Sequence, residues 1–377
     1  MTVQNKFSLY IHIPFCQSKC RYCDYFTVRD KNGYLDSYIN SIILEIKSYK
    51  GKILKTIYLG GGTPSLLSFF QLKILVDAIK DNFIILWDDI EFTIEVNPDS
   101  LTIEKLKFYK EIGINRITIG VQSFNDKILS FLGRNYSVET VRNTIENSLK
   151  YFININIDLL FAVPEMQNIK DIENDFKIAV SYNIPHIAYY NLVIENATYF
   201  QWLKKNKRIT EIEEELYEEE YLLINKFLTS EKFEHYELST FTKKGFKCAH
   251  NLTYWRNGEY IGIGAGAHSY IGGKRFWNIK FPSEYIYAIS SGREAIEGSE
   301  SLDKDARLGE TIMLLLHLEE GIDIRKINSD FGIDFISKFD VVLRELSDDR
   351  LIAVSKDNVK LTLRGKLFAN AAARKFL

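Results

Sequence analysis

The sequence predicts an α/β protein: an incomplete (βα)6 barrel followed by a mainly helical, winged-helix-like module at the carboxyl end. Three observations carry this. Six β-rich runs alternate with helix-like stretches through the first half of the chain. The runs are dense in Ile, Val and Tyr, as parallel strands buried on both faces require. After residue 303 the pattern changes to helices followed by two short strands. Six βα units also fit an open doubly wound sheet, and in either arrangement the chemistry belongs at the carboxyl ends of the strands.

Taken in order, the strands are expected at 7–14, 55–61, 90–97, 115–122, 154–161 and 186–193. Helices are expected between them at 35–49, 66–82, 103–112, 138–151 and 169–181. In the third of these, Leu106, Tyr109 and Ile112 recur on one helical face. A long helix at 211–230 carries the acidic run "EIEEELYEEE", read as a solvated face. A strand follows at 233–239, then Gly-rich loops with short strands at 258–273. The terminal module shows helices at 307–316, 324–331 and 335–347, strands at 351–354 and 360–363, and a last helix at 364–376. The boundaries this implies are 1–195 for the barrel core, 196–300 for an extension and 301–377 for the terminal module. Its charge is mixed, so DNA binding is the weaker reading of a winged-helix shape.

Lys and Arg number 48 against 50 Asp and Glu, which argues against a general polyanion binder, so no nucleic-acid partner is expected. No charged-then-apolar leader precedes the first strand, and the longest apolar runs are too short for stable membrane insertion. A cytoplasmic location is expected. Four cysteines in 377 residues do not make a disulfide scaffold, and clustered cysteines in a reducing compartment more often bind metal. The glycosylation sequons at Asn196 and Asn251 carry no meaning without secretion.

Three of those cysteines, Cys16, Cys20 and Cys23, are spaced C-x3-C-x2-C just after the first strand. Structural zinc sites commonly use four protein ligands as two paired knuckles, and here only Cys248 remains. Three unrelated buried thiols would need a coincidence within eight residues. An iron–sulfur cluster fits best: three thiolates hold three irons of a [4Fe–4S] cube and leave the fourth iron open. The position supports this, because a βα fold places its chemistry at such a strand end.

A C-x3-C-x2-C motif in this place resembles the radical S-adenosylmethionine (SAM) superfamily. In that superfamily the amino and carboxylate groups of SAM bind the open iron, and an electron from the cluster cleaves SAM to a deoxyadenosyl radical. "YLGGGTP" at 58–64 ends the second strand, and its glycines would let a ligand approach the backbone. It resembles the family's SAM-binding glycine segment, which implies Gly61, Gly62 and Thr63 as contacts. Glu95 in "TIEVNP" ends the third strand, and the resemblance assigns it to the amino-acid moiety or ribose of SAM. Gln122 in "GVQSFND", Arg134 in "LGRNYS" and Asp158 in "NIDLLF" match the remaining polar contacts of one subgroup. Tyr10 and Tyr22 match its contacts near the cluster.

That subgroup contains oxygen-independent coproporphyrinogen III oxidase and the HemW-type heme chaperones, and the resemblance covers nearly the whole chain. The oxidase typically has a further cysteine two residues after the third ligand, where this chain has Tyr25. It also carries a sizeable amino-terminal extension, whereas only 15 residues precede Cys16 here. "HNLTYW" at 250–255 matches the HNxxYW signature of the chaperones. Imidazole is a standard axial iron ligand and aromatic rings pack on porphyrin faces, so His250, Tyr254 and Trp255 are heme candidates. Cys248, two residues upstream, would offer a thiolate instead. The plainer alternative keeps Tyr254 and Trp255 in the core, with His250 capping a loop.

Among the other histidines, His12 is expected to pack near the cluster and His268 to stabilise its loop. His186, His235 and His317 show no partner pattern. "GIGAGA" at 262–267 imitates a dinucleotide fingerprint but lacks the amphipathic helix that must follow. The resemblance therefore implies a chaperone that binds a [4Fe–4S] cluster, SAM and heme, and passes heme to apo-hemoproteins such as respiratory enzymes. A homodimer is compatible with it. The rival reading is the oxidase, a decarboxylase of two propionates.

Overall fold

The computed structural model describes residues 5–30 and 33–377. The six expected βα strands form as β1 (Lys6–Ile13), β2 (Ile53–Gly61), β3 (Glu91–Val96), β4 (Arg116–Gln122), β5 (Asn154–Phe161) and β6 (His186–Asn191). They lie side by side in that order, all parallel. Their Ile and Leu side chains fill one large core, including Leu9, Ile11, Ile57, Ile94, Ile117, Ile157 and Ile187. Helices α1 (Tyr34–Lys47), α2 (Phe69–Asn82), α3 (Ile103–Glu111), α4 (Asp126–Leu132), α5 (Val138–Leu149) and α6 (Ile169–Ser181) return the chain between strands.

The helix expected from residue 66 begins three residues later. Pro64–Leu66 forms a 3-10 turn, and Ser68 with Gln71 makes a reciprocal capping box that starts α2. The acidic stretch is only partly the solvated face its sequence suggests. Helix α8 (Glu214–Ser230), which follows the short α7 (Tyr199–Lys205), turns Glu220 inward. Glu220 is 1% exposed and accepts the Ala162 N–H at 3.0 Å, pinning a residue with φ 59° just past β5.

The sheet is larger than six strands and stays open. After β7 (Glu234–Glu237), β8 (Thr240–Thr242) and helix α9 (Ala249–Trp255), strand β9 (Tyr260–Ile263) enters parallel to β1 on its free edge, pairing Ser8 with Tyr260. Antiparallel β10 (His268–Ile271), β11 (Lys274–Asn278) and β12 (Ile296–Ser301) extend that side, and β8 then β7 extend the other beyond β6. "GIGAGA" is thus the end of β9 and its turn. Its Gly264 sits at φ 104°, and its N–H reaches the buried carboxylate of Glu45 at 2.9 Å. Asn278 and Tyr285, the latter on α10 (Pro282–Ser290), donate to the same carboxylate.

The terminal module has its own core, with Leu308, Ile312, Phe331, Phe335, Phe339 and Phe376. It comprises α11 (Lys304–Leu316), α12 (Ile324–Phe331), α13 (Phe335–Lys338), α14 (Asp340–Asp348), α15 (Leu363–Leu367) and α16 (Ala369–Arg374). A small antiparallel sheet joins β13 (Ile322–Asp323), β15 (Asn358–Leu361) and β14 (Ile352–Val354). Two helices expected as continuous are broken, at Phe339 and Phe368, both with φ −111°. The first break lets Phe339 meet Phe335 and Phe376 within 5.2 Å between ring centroids. Backbone hydrogen bonds from Leu238 to His317 and from Glu319 to Tyr236 dock the module on β7.

Candidate cofactor site

At the carboxyl ends of the strands lies a cavity of about 580 Å³, lined by all three clustered cysteines. The segment carrying them leaves β1 at Ile13 and is closed on itself by backbone bonds. Cys16 N–H donates to Val28 O at 3.0 Å, and Val28 N–H donates to Pro14 O at 2.8 Å. It is also tied to its surroundings, since Arg21 N–H reaches Leu132 O at the end of α4 and Phe200 N–H reaches Arg21 O. The thiols of Cys16, Cys20 and Cys23 are partly exposed, and burial pushes those of Cys16 and Cys23 up. Among the described residues no three His, Cys, Asp or Glu side chains converge on a single metal ion.

The turn after β2 passes against this segment. Gly62 N–H donates to Ile13 O at 2.8 Å, and a Cβ on Gly62 would fall 2.6 Å from Phe15 O and 3.0 Å from Cys16 Sγ. Gly61 has φ 115°, and a Cβ there would strike the His12 ring at 2.6 Å. His12 is held by Tyr10 at 2.9 Å, and burial lowers its pKa to about 4, so it is neutral. Only glycine fits either position.

Thr63 Oγ1 donates to Cys16 Sγ at 3.5 Å and accepts from Asn97 Nδ2 at 3.1 Å. Asn97 Oδ1 in turn accepts from Arg134 Nη1 at 3.3 Å, while Arg134 Nη2 donates to Tyr22 OH. The guanidinium lies 5.6 Å from the centre of the Tyr22 ring. Its Nε is buried without a partner, and no carboxylate hydrogen-bonds to it among the described residues. A cation so placed is prepared for an anionic group.

On the cavity's acidic side, Glu95 accepts Tyr58 OH at 2.8 Å and the Gly61 N–H at 3.0 Å. Burial raises its pKa to about 7 despite those donors, with the Asp158 charge adding to the rise. Asp158 accepts Asn156 Nδ2 at 2.7 Å, and burial raises its pKa to about 6. Both carboxyls line the cavity and are half-buried. Gln122 ends β4 at φ 70°, with its side chain in the cavity wall. The cavity thus brings two carboxyls and a guanidinium together in one pocket.

Of the expected cofactor residues, Cys16, Cys20, Cys23, Tyr22, Gly61, Gly62, Thr63, Glu95, Gln122, Arg134 and Asp158 all line this cavity. Tyr10 does not. Its ring lies beneath, 6.1 Å from that of Tyr58. Asn97, Thr118 and Tyr190 line the cavity without having been singled out in the sequence. Asn97 and Tyr190 stand at or just past the end of a strand, and that position was the available signal, whereas Thr118 lies within β4 and gave none.

The heme candidates lie elsewhere. Helix α9 lies against the amino-terminal halves of the strands, on the side of the sheet's strand ends opposite the cysteines. Its first N–H groups, Ala249 and His250, are capped by Glu91 at the start of β3 at 3.0 and 2.9 Å. His250 is 1% exposed and both ring nitrogens are engaged, Nδ1 with Thr56 and Nε2 with Tyr254, each at 2.8 Å. Trp255 donates to Glu237 at 2.6 Å and stacks on His317. Burial pushes the Cys248 thiol up to about 12, so it stays protonated. In this conformation both imidazole nitrogens of His250 already have hydrogen-bond partners within the protein. His186 likewise has partners that its sequence context did not show, Asn156 and Tyr236.

The profile of the Radical SAM superfamily matches residues 10–178, and that of the HemN C-terminal domain matches 302–368. The chain is 36% identical over 375 residues to the heme chaperone HemW of Bacillus subtilis, covering 98% of this chain and 99% of the relative. It is 34% identical over 380 residues to heme chaperone HemW of Lactococcus lactis, covering 100% and 98%. The solved coproporphyrinogen III oxidase (HemN) of Escherichia coli, described as a radical SAM enzyme, superposes with a TM-score of 0.87 at 21% identity. It covers 99% of this chain and 90% of its own. At that identity it speaks for the fold alone. The α/β radical SAM architecture, with its sheet open, agrees with the sequence expectation.

Proposed function

This chain belongs to the HemW family within the radical SAM superfamily, and from that premise we propose that it is a heme chaperone, carrying a [4Fe–4S] cluster and SAM and delivering heme to apo-hemoproteins. The observation that carries the reading is similarity to HemW chaperones along the entire chain, joined to a cavity lined by three cysteines.

Cys16, Cys20 and Cys23 would hold the cluster, whose open iron supplies a place for SAM and an electron to it. The residues present fit that pair of groups. The glycine turn brings its backbone up against Cys16, and among the described residues no carboxylate hydrogen-bonds to the Arg134 guanidinium. Arg134 binds the SAM carboxylate, and Glu95 in its ionised form binds the ammonium. Asp158 and Gln122 orient the ribose and adenine side, and Tyr22 holds Arg134 in place. Tyr10 acts from below by packing on Tyr58.

The test is heme titration of the anaerobically reconstituted protein, followed by transfer to an apo-hemoprotein monitored by its visible spectrum. Stable heme uptake and transfer is the expected result. The second reading, coproporphyrinogen oxidation, draws on the fold shared with the oxidase. Turnover of coproporphyrinogen with SAM and dithionite would establish it and displace the chaperone reading.

A further inference from the structure

The two carboxylates of the cofactor cavity rest on side chains that lead to helix α9. Tyr58, whose hydroxyl donates to Glu95, packs at a tilt against the His250 ring, with centroids 4.9 Å apart and planes inclined by 33°. His250 is fixed in turn by Thr56 and Tyr254, so its ring has no freedom to withdraw. A second path starts at the backbone N–H of Cys248, the residue before α9, which donates to Tyr236 OH at 3.3 Å. Tyr236 OH meets His186 Nε2 at 2.8 Å, His186 Nδ1 meets Asn156 Oδ1 at 2.6 Å, and Asn156 Nδ2 donates to Asp158 at 2.7 Å.

The directions in this second path follow from its end. An ionised Asp158 only accepts, so Asn156 must present its NH2 there and its carbonyl to His186. His186 Nδ1 then carries the proton, and Nε2 accepts from Tyr236. Every donor points toward Asp158. His186 and Asn156 are 1% and 3% exposed, so no water competes along the way.

We propose that the HNxxYW helix is a positioning element of the SAM site: His250 holds Glu95 through Tyr58, and the Tyr236–His186–Asn156 path holds Asp158. This rests on the assignment of the cavity to SAM. It gives the signature motif a role other than contact with heme.

The test measures the SAM Kd of the cluster-loaded protein by equilibrium dialysis, and by the change SAM makes in the EPR signal of the reduced cluster. His250→Ala should weaken SAM about tenfold, and Tyr236→Phe about threefold, as expected for coupling through packed and hydrogen-bonded neighbours. His250→Phe keeps a ring against Tyr58 and should restore affinity to within about twofold of wild type. Trp255→Phe is the control. It removes the bond to Glu237 at the end of the helix and keeps every side chain of both paths, so it should lower the melting temperature and leave SAM affinity unchanged.

Iron content and the heme spectrum should be unaffected in all four variants. Equal loss of SAM affinity in Trp255→Phe and His250→Ala would overturn the proposal, as would wild-type affinity in His250→Ala. A His250→Ala heme spectrum that shifts while SAM affinity holds would return the motif to heme. Failure of the wild-type protein to bind SAM at all would instead remove the assignment on which the proposal stands.

Discussion

Replacing Glu95 by Gln should make the SAM-free protein more stable while weakening its hold on SAM. The carboxyl titrates near 4.5 in an unfolded chain and at about 7 in the fold. Ionisation therefore favours the unfolded chain, and the stability tied to this group is full below pH 4.5 and lost as pH rises through 7. Integrating between those values puts the penalty at about 3 kcal/mol at pH 8 and about 1 kcal/mol at pH 5, upper values because cavity water screens the charge. Gln still accepts from Tyr58, but its NH2 opposes the Gly61 N–H, which costs about 1 kcal/mol. The net expectation is a gain of about 2 kcal/mol at pH 8 and about none at pH 5. Urea or thermal unfolding at both pH values, at equal iron content and without SAM, measures it. In the same variant the SAM Kd should rise at least about tenfold through loss of a charge-assisted partner. A variant no more stable than wild type at pH 8, or equally stabilised at pH 5, would refute the reasoning.

Three further outcomes follow from the same geometry. Gly62→Ala forces Cβ to 2.6 Å from the Phe15 carbonyl, so iron content after reconstitution should fall sharply while the circular dichroism of the barrel persists. Cys20→Ser should abolish the visible charge-transfer absorption of the cluster, and a variant that kept full colour would exclude Cys20 as a ligand. Glu45→Ala strands donors on Gly264, Asn278 and Tyr285 in the core. It should destabilise the protein by about 3–5 kcal/mol in denaturant titrations, well beyond a surface substitution.

Much of the fold could be read from local pattern, because parallel strands buried on both faces announce themselves in composition. The strand at Asn154–Phe161 and the helix at Ile169–Ser181 fall where the residues alone place them. The cofactor cavity was readable for a related reason, since its residues sit at successive strand ends. The parts that were not readable depend on distant partners. Strand β9 is four residues in a Gly-rich stretch, made a strand by pairing with β1. "HNLTYW" becomes a helix although it has no capping residue of its own, because Glu91, far away in sequence, caps it. The inward turn of Glu220 depends likewise on one backbone N–H near β5.

The placement of β1 between β2 and β9 has a consequence for the order of assembly. The strand that launches the cysteine segment is made first, yet one of its edges has no partner until Tyr260 has left the ribosome. Pairing across so long a loop is slow. Until then the cysteines hang from a half-supported strand, and the residues that seal the base of the barrel, Thr253 against Ser8 among them, do not yet exist. The segment that carries the cysteines is thus supported on both edges of its strand only after more than two thirds of the chain has been made.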